Sequence, residues 1–148
     1  MQYFEDIQPG VLHTSEARYT FTRENIIAFA SEYDPMPFHI DEEVAKLTPI
    51  GGLFASSAHT ISVGIKLSYS LMSDDIAAIA GLGWNDVRFP LPVMVGDSLY
   101  ITSEIIEKRE SRSKPDRGII VSQNRLYNQN DELVAEYKIS TLVWRTPQ

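Results

Sequence analysis

No cysteine occurs in this 148-residue chain. That absence excludes disulfides, thiolate metal centres and a cysteine nucleophile. Long apolar runs are also missing, since nothing reaches the roughly 18 consecutive apolar residues of a membrane-spanning helix. Positive charge is scarce: 13 Lys and Arg face 20 Asp and Glu, for a formal net charge of −7. Nucleic acid binding requires a basic surface, so that class is excluded. An anionic substrate would need a local basic patch, because the overall field repels it. The opening stretch, MQYFEDIQPG, carries acids and no apolar core, so it does not read as a signal peptide. No repeat, linker or low-complexity segment interrupts the chain. The expectation is one domain over residues 1–148, cytoplasmic, without nucleic acid or membrane as partner.

Pro9-Gly10 marks a turn after a loose lead-in. Val11 to Phe21 is rich in β-branched and aromatic residues and reads as a strand. Thr22 is a good N-cap for a following helix, and Ile26, Phe29, Ala30 and Tyr33 recur at helical spacing as its inward face. Asp41 to Leu47 predicts a further short helix with Asp41 as its cap. Gly52 to Met72 is the longest apolar stretch free of proline, and its apolar residues fall around most of a helical circumference. That is the pattern of a long buried helix, with a strand pair over Ile61 to Ser70 as the competing reading. After Asp74-Asp75 the period becomes two, and four strands are expected: Ile79 to Phe89, Ser98 to Glu107, Gly118 to Tyr127 and Glu132 to Trp144. Short connections favour antiparallel neighbours. The fold class is therefore α+β, a five-stranded antiparallel sheet with a helix against it.

Chemistry concentrates in Tyr33 to Ser57, YDPMPFHIDEEVAKLTPIGGLFASS. Pro35 and Pro37 separate Asp34 from His39 and rule out an ordinary helix there. A carboxylate and an imidazole held on a stiff segment can perform acid–base chemistry. The other two histidines are weaker candidates: His13 falls in a strand expected to be solvated, and His59 falls inside the long helix, where packing explains it. A metal site is not expected, because one histidine with scattered carboxylates makes a poor zinc ligand set. Glu32, Glu42 and Glu43 read as a solvated face. Ser56 and Ser57 lack the G-x-S-x-G surroundings of a serine nucleophile.

Asp34-x-x-Pro37-x-His39-x-Asp41, then Gly51-Gly52-Leu53-Phe54-Ala55, resembles the signature of MaoC-like dehydratases, the (R)-specific enoyl-CoA hydratases of the hot-dog fold. Val87-Arg88-Phe89, Pro92-Val93 and Gly96-Asp97 are similar to a later segment of the same pattern. The resemblance implies a hot-dog fold, with the sheet wrapped around one long central helix. It also implies a hydro-lyase that reversibly adds water to a trans-2-enoyl-CoA, or a related acyl thioester, giving the (R)-3-hydroxyacyl product. Asp34 and His39 would be the catalytic pair, and the backbone N–H of Ser57 the donor to the thioester oxygen. Gly51, Gly52, Met36 and Ser56 would line the substrate. No cofactor is implied beyond the coenzyme A that belongs to the substrate.

Two departures stand out. Met36 replaces the family's asparagine, and Ser56-Ser57 replaces its His-Gly. They keep two alternatives open: a hot-dog acyl thioesterase, and a non-catalytic acyl-thioester-binding subunit of a heteromeric dehydratase. Hot-dog proteins pair through edge strands, so a homodimer or higher homo-oligomer is expected, with Tyr100, Ile101 and Trp144 as candidate contacts. Arg88, Arg109, Arg112 and Lys114 are candidates for coenzyme A only because they are basic.

Overall fold

The computed structural model describes residues 1–72 and 75–148, so Asp74, where the change of period was expected, lies outside the described residues. Its strands are β1 (Leu12–Thr14), β2 (Tyr19–Thr20), β3 (Ala78–Arg88), β4 (Ser98–Glu110), β5 (Arg117–Tyr127) and β6 (Leu133–Trp144). Its helices are α1 (Arg23–Tyr33), α2 (Pro37–Ile40), α3 (Glu42–Lys46) and α4 (Ser57–Ser68). All strand pairings are antiparallel, in the order β1-β4-β5-β6-β3, with β2 also on β4.

The four later strands fall where period two places them. The predicted first strand is instead two short pieces on β4, and its break has an identifiable cause. Ser15 donates its N–H to the Ile101 carbonyl at 2.9 Å, while its hydroxyl accepts the Ile101 N–H at 3.0 Å. One residue thus satisfies both ladder groups of Ile101, and residues 15–18 leave the sheet before Tyr19 rejoins it. The short-turn argument holds for β4-β5 and β5-β6. It fails for β3 and β4, which are not neighbours: β3 pairs with β6 at one edge, and residues 89–97 carry the chain across to β4.

Thr22 caps α1 as expected. Its hydroxyl accepts the Asn25 N–H at 3.1 Å, and the Asn25 side chain accepts the Thr22 N–H at 2.9 Å. Ile26 and Ala30 are buried, but Tyr33 is 66% exposed and does not belong to the inward face. The Pro35–Pro37 segment contains one helical turn, α2, with Pro37 at its first position, where a missing N–H costs nothing.

The central helix is shorter than Gly52 to Met72. Residues 52–56 are extended, because Phe54 bridges Met94 and the Ala55 N–H bonds the Val93 carbonyl at 2.8 Å. At the other end the helix tightens into a 3₁₀ turn, Tyr69–Leu71. It is also not buried all round: His59, Thr60, Val63, Gly64 and Leu67 are buried, while Ser57, Ser62 and Lys66 are exposed. Gly64 sets the helix close to the sheet, since a Cβ there would collide with the Tyr137 hydroxyl. Phe21, Ile26, Leu99, Ile101, Leu126 and Val134 fill the space between, all fully buried. Each such large side chain contributes about 1.5–3 kcal/mol. A smaller cluster of Phe4, Ile7, Ile120 and Val143 docks the N-terminal segment.

Candidate active site

Asp34 is the residue at which α1 stops. Its N–H bonds the Ala30 carbonyl at 2.8 Å, and its backbone then leaves the helical region at φ −152°, ψ 69°. The single turn of α2 follows and presents His39, which is 5% exposed. These two elements bring His39 Nε2 to 3.6 Å from Asp34 Oδ2. The imidazole is fixed on its other side as well. Nδ1 lies 2.8 Å from the Phe54 carbonyl, and the rings of Phe38 and Phe54 meet it nearly edge to face at 4.6 and 4.7 Å. A carbonyl can only accept, so Nδ1 carries the proton and donates it. In its neutral form the ring then presents the bare lone pair of Nε2 toward the carboxylate. In that form two acceptors face one another and need a proton donor between them.

Ser56 reaches the same carboxylate, its hydroxyl donating to Asp34 Oδ2 at 2.7 Å. It is also the N-cap of α4, yet its side chain makes no capping bond. The first intrahelical bond in this turn runs from the Thr60 N–H to the Ser56 carbonyl at 3.1 Å. The N–H groups of Ser57, Ala58 and His59 precede it and have no partner within the helix, at the positive end of the helix dipole. Ser57 and Ala58 are exposed.

Other candidates fall into place around this centre. Met36 is 46% exposed at the rim, and its carbonyl accepts the His39 N–H at 2.9 Å. Gly51 adopts φ +83° in a turn closed by its N–H to the Thr48 carbonyl at 3.0 Å, a conformation that suits glycine. Gly52 packs beside Met94. Asp41 is turned away from the pair and caps α3, accepting the Glu43 and Val44 N–H groups at 3.0 and 3.3 Å. Glu42 pairs with Arg23 and Glu43 with Lys46, on the surface. His13 is exposed on β1. Among the described residues, no group of three or more His, Asp or Glu side chains is placed to hold a metal ion.

His59 is packed, as its position in the helix suggested. It stacks on Phe29 with ring centroids 4.6 Å apart and meets Phe21 at 4.6 Å. Among the described residues its buried Nδ1 has no hydrogen-bond partner, and burial pushes the group down from 6.5 to about 4. Arg109 pairs with Glu107, and Arg112 and Lys114 lie in the β4–β5 turn, at the far end of β4 from the strand start that follows Met94. Arg88 is exposed at the end of β3. A cavity of about 370 Å³, lined by His13, Thr14, Glu16, Ala17, Ser70 and Leu71, does not include Asp34 or His39. The pair instead opens on the surface, with the Asp34 side chain 37% exposed.

The sequence pointed to Asp34 and His39, but not to the Phe54 carbonyl or the Phe38 and Phe54 rings that orient the imidazole. A backbone acceptor carries no residue signature, and the two phenylalanines read equally well as core.

Comparison with known proteins bears on the family and the fold. A family model described as "MaoC like domain" matches residues 7–123. The protein YdeM of Bacillus subtilis is 33% identical over 126 residues, covering 84% of this chain and 86% of that protein. The 3-hydroxyacyl-thioester dehydratase Z of Mycobacterium tuberculosis is 32% identical over 89 residues, 59% of each chain. Among solved structures, a MaoC-like dehydratase from Rhodospirillum rubrum superposes with a TM-score of 0.90 at 34% identity, covering 100% of both chains. A Mycobacterium tuberculosis protein described as a double hot-dog fold matches 99% of this chain and 45% of its own, with a TM-score of 0.79 at 19% identity. The architecture of strands and central helix is a hot-dog fold.

Proposed function

The chain belongs to the MaoC-like dehydratase family, and on that premise we propose that it is a hydro-lyase acting on trans-2-enoyl thioesters, with Asp34 and His39 as the catalytic pair. The observation that carries this reading is the 3.6 Å gap between Asp34 Oδ2 and Nε2 of His39, whose Nδ1 donates to the Phe54 carbonyl. A water molecule satisfies both acceptors by donating one proton to each. Its oxygen lone pairs then point away from the protein, toward an acyl group at the surface. In hydration the water oxygen bonds to C3 of the enoyl group as one of its protons passes to the pair, and the pair returns a proton to C2. The π electrons move toward the thioester oxygen as this happens. The free N–H groups at the start of α4, with Ser57 first among them, are suited to receive that charge. Dehydration is the same path in reverse. The relative named for a 3-hydroxyacyl-thioester substrate supports the substrate class.

The site lies open on a single chain, and the sheet has an unpaired edge. Among the described residues, strand β3 pairs only with β6 and exposes Leu82 (52%) and Trp84 (43%), followed by Phe89 and Leu91 (both 40%). An exposed apolar edge strand is a template for pairing. In this reading the chain forms a homodimer through β3, and the second copy helps to wall the acyl site. The contact residues expected from sequence fit less well: Ile101 is fully buried, Tyr100 bonds Asp131 at 2.7 Å within its own chain, and Trp144 lies under Arg117.

The test is the loss of enoyl-thioester absorbance with crotonyl-CoA and a panel of longer and branched enoyl-CoAs. Turnover by the wild type, absent in His39→Gln, is the expected result. Release of free coenzyme A in place of a hydroxyacyl product would make the protein a thioesterase. No turnover by a folded protein that still binds the esters would make it a binding subunit.

A further inference from the structure

We propose that Ser56 is a positioning residue of this site, the group that holds the Asp34 carboxylate toward His39. The inference rests on the hydratase reading above. Asp34 sits at a helix end with its side chain 37% exposed, so little packing fixes its carboxylate. Among the described residues, Ser56 supplies the one hydrogen-bond donor that reaches it, at 2.7 Å. An O–H to carboxylate bond of this length is among the stronger hydrogen bonds in proteins. Ser56 is itself 1% exposed, so its hydroxyl is shielded from water. It falls on Oδ2, the same oxygen that faces His39 Nε2. The hydroxyl therefore sets which carboxylate oxygen points into the water gap.

The ordinary alternative is that Ser56 is simply an N-cap. Serine is favoured at that position because its side-chain oxygen accepts an N–H from the first turn. Here the residue occupies the cap position and makes no such bond. Its hydroxyl is turned to Asp34, 22 residues earlier in the chain. The choice serves the site twice. Asp34 gains a fixed orientation, and the first N–H groups of α4 keep no side-chain acceptor in front of them. In the family pattern that this stretch resembles, a histidine stands at this position, so the arrangement belongs to this chain's own departure.

The experiment pairs kinetics with a direct probe of the carboxylate. Ser56→Ala removes only the hydroxyl from a buried site, with Ser62→Ala, an exposed serine of α4, as control. On the enoyl-CoA that the wild type hydrates best, Ser56→Ala is expected to lose kcat by about tenfold or more with KM within about twofold. Ser62→Ala keeps the wild-type rate. In protein labelled with ¹³C at the aspartate carboxyl carbons, the Asp34 resonance, assigned by its loss in Asp34→Asn, moves in Ser56→Ala and stays in Ser62→Ala. Wild-type kcat in Ser56→Ala, or an unmoved Asp34 resonance, overturns the role given to Ser56 and leaves the hydratase reading standing. A lower melting temperature with an unmoved resonance also overturns it, in favour of a helix-end role. A wild type without turnover overturns the hydratase reading itself, and the resonance alone then decides whether Ser56 holds Asp34.

Discussion

At His39 the Nδ1–H bond to the Phe54 carbonyl selects the tautomer, and the flanking phenyl rings select the angle at which Nε2 meets Asp34. Glutamine in place of His39 cannot present an unprotonated ring nitrogen, and asparagine in place of Asp34 cannot take a proton. Each substitution is expected to lower kcat by about 10²–10⁴-fold, the range of general acid–base catalysis. Circular dichroism and melting temperature should stay close to wild type, because neither residue is part of the main core. His59 makes a different prediction. The fold holds it neutral, down to about 4 from the ordinary 6.5. The unfolded chain therefore binds a proton that the folded chain resists. That stability is fully present above pH 6.5 and is lost as pH falls toward 4, by about 3 kcal/mol. His59→Phe, which keeps the stack on Phe29, should flatten this part of the stability curve, measured by urea unfolding between pH 7 and pH 4.5. A wild-type curve that is already flat there would contradict the burial of His59 as a neutral ring. Asp34 and His39 were legible as a pair because prolines confine them within six residues of chain. Ser56 was legible as a residue but not as a partner, since its bond to Asp34 depends on how α4 docks against α1.

The elements were read well wherever local periodicity decides them. Strands β3 to β6 begin and end close to the alternating pattern; β4, β5 and β6 bury residues on the core, whereas β3 is exposed along nearly its whole length. α1 was read from its cap and its prolines. The misreadings share a cause, which is long-range backbone pairing. The Ser15–Ile101 bonds split the first strand, and the Phe54–Met94 bridge keeps residues 52–56 out of α4. Neither partner segment is near in sequence. The exposed outer face of α4 was missed for another reason: Ile65, 37% exposed, added to an apolar count that could not say which side the sheet covers. At this scale Gly64 carries the sharpest prediction. Gly64→Ala places a methyl against the Tyr137 hydroxyl and forces the helix from the sheet. Helix propensity favours alanine by about 1 kcal/mol, but overpacking costs about 1–3 kcal/mol. A net loss of stability in urea titration is expected. A gain would mean that α4 does not approach the sheet this closely.

For the whole molecule, the fold sets Asp34 and His39 on an open face between α1, α2 and the start of α4. Sequence alone suggested pairing through an edge but could not place the contact residues, because strand order decides which strand is an edge, and β3 reaches the edge only through its crossover to β6. Leu82→Lys with Trp84→Glu should convert the proposed dimer to monomer in sedimentation experiments and lower activity with it. A wild type that sediments as a monomer while fully active would contradict the role of a second copy. The central claim is that the water between Asp34 and His39 is added across an enoyl double bond. Chiral analysis of the product from crotonyl-CoA and its longer homologues tests this most directly. The account predicts an (R)-3-hydroxyacyl-CoA from the wild type and none from Asp34→Asn or His39→Gln. An unchanged yield of that product from either variant, or no hydroxyacyl product from a folded wild type across the panel, would contradict it.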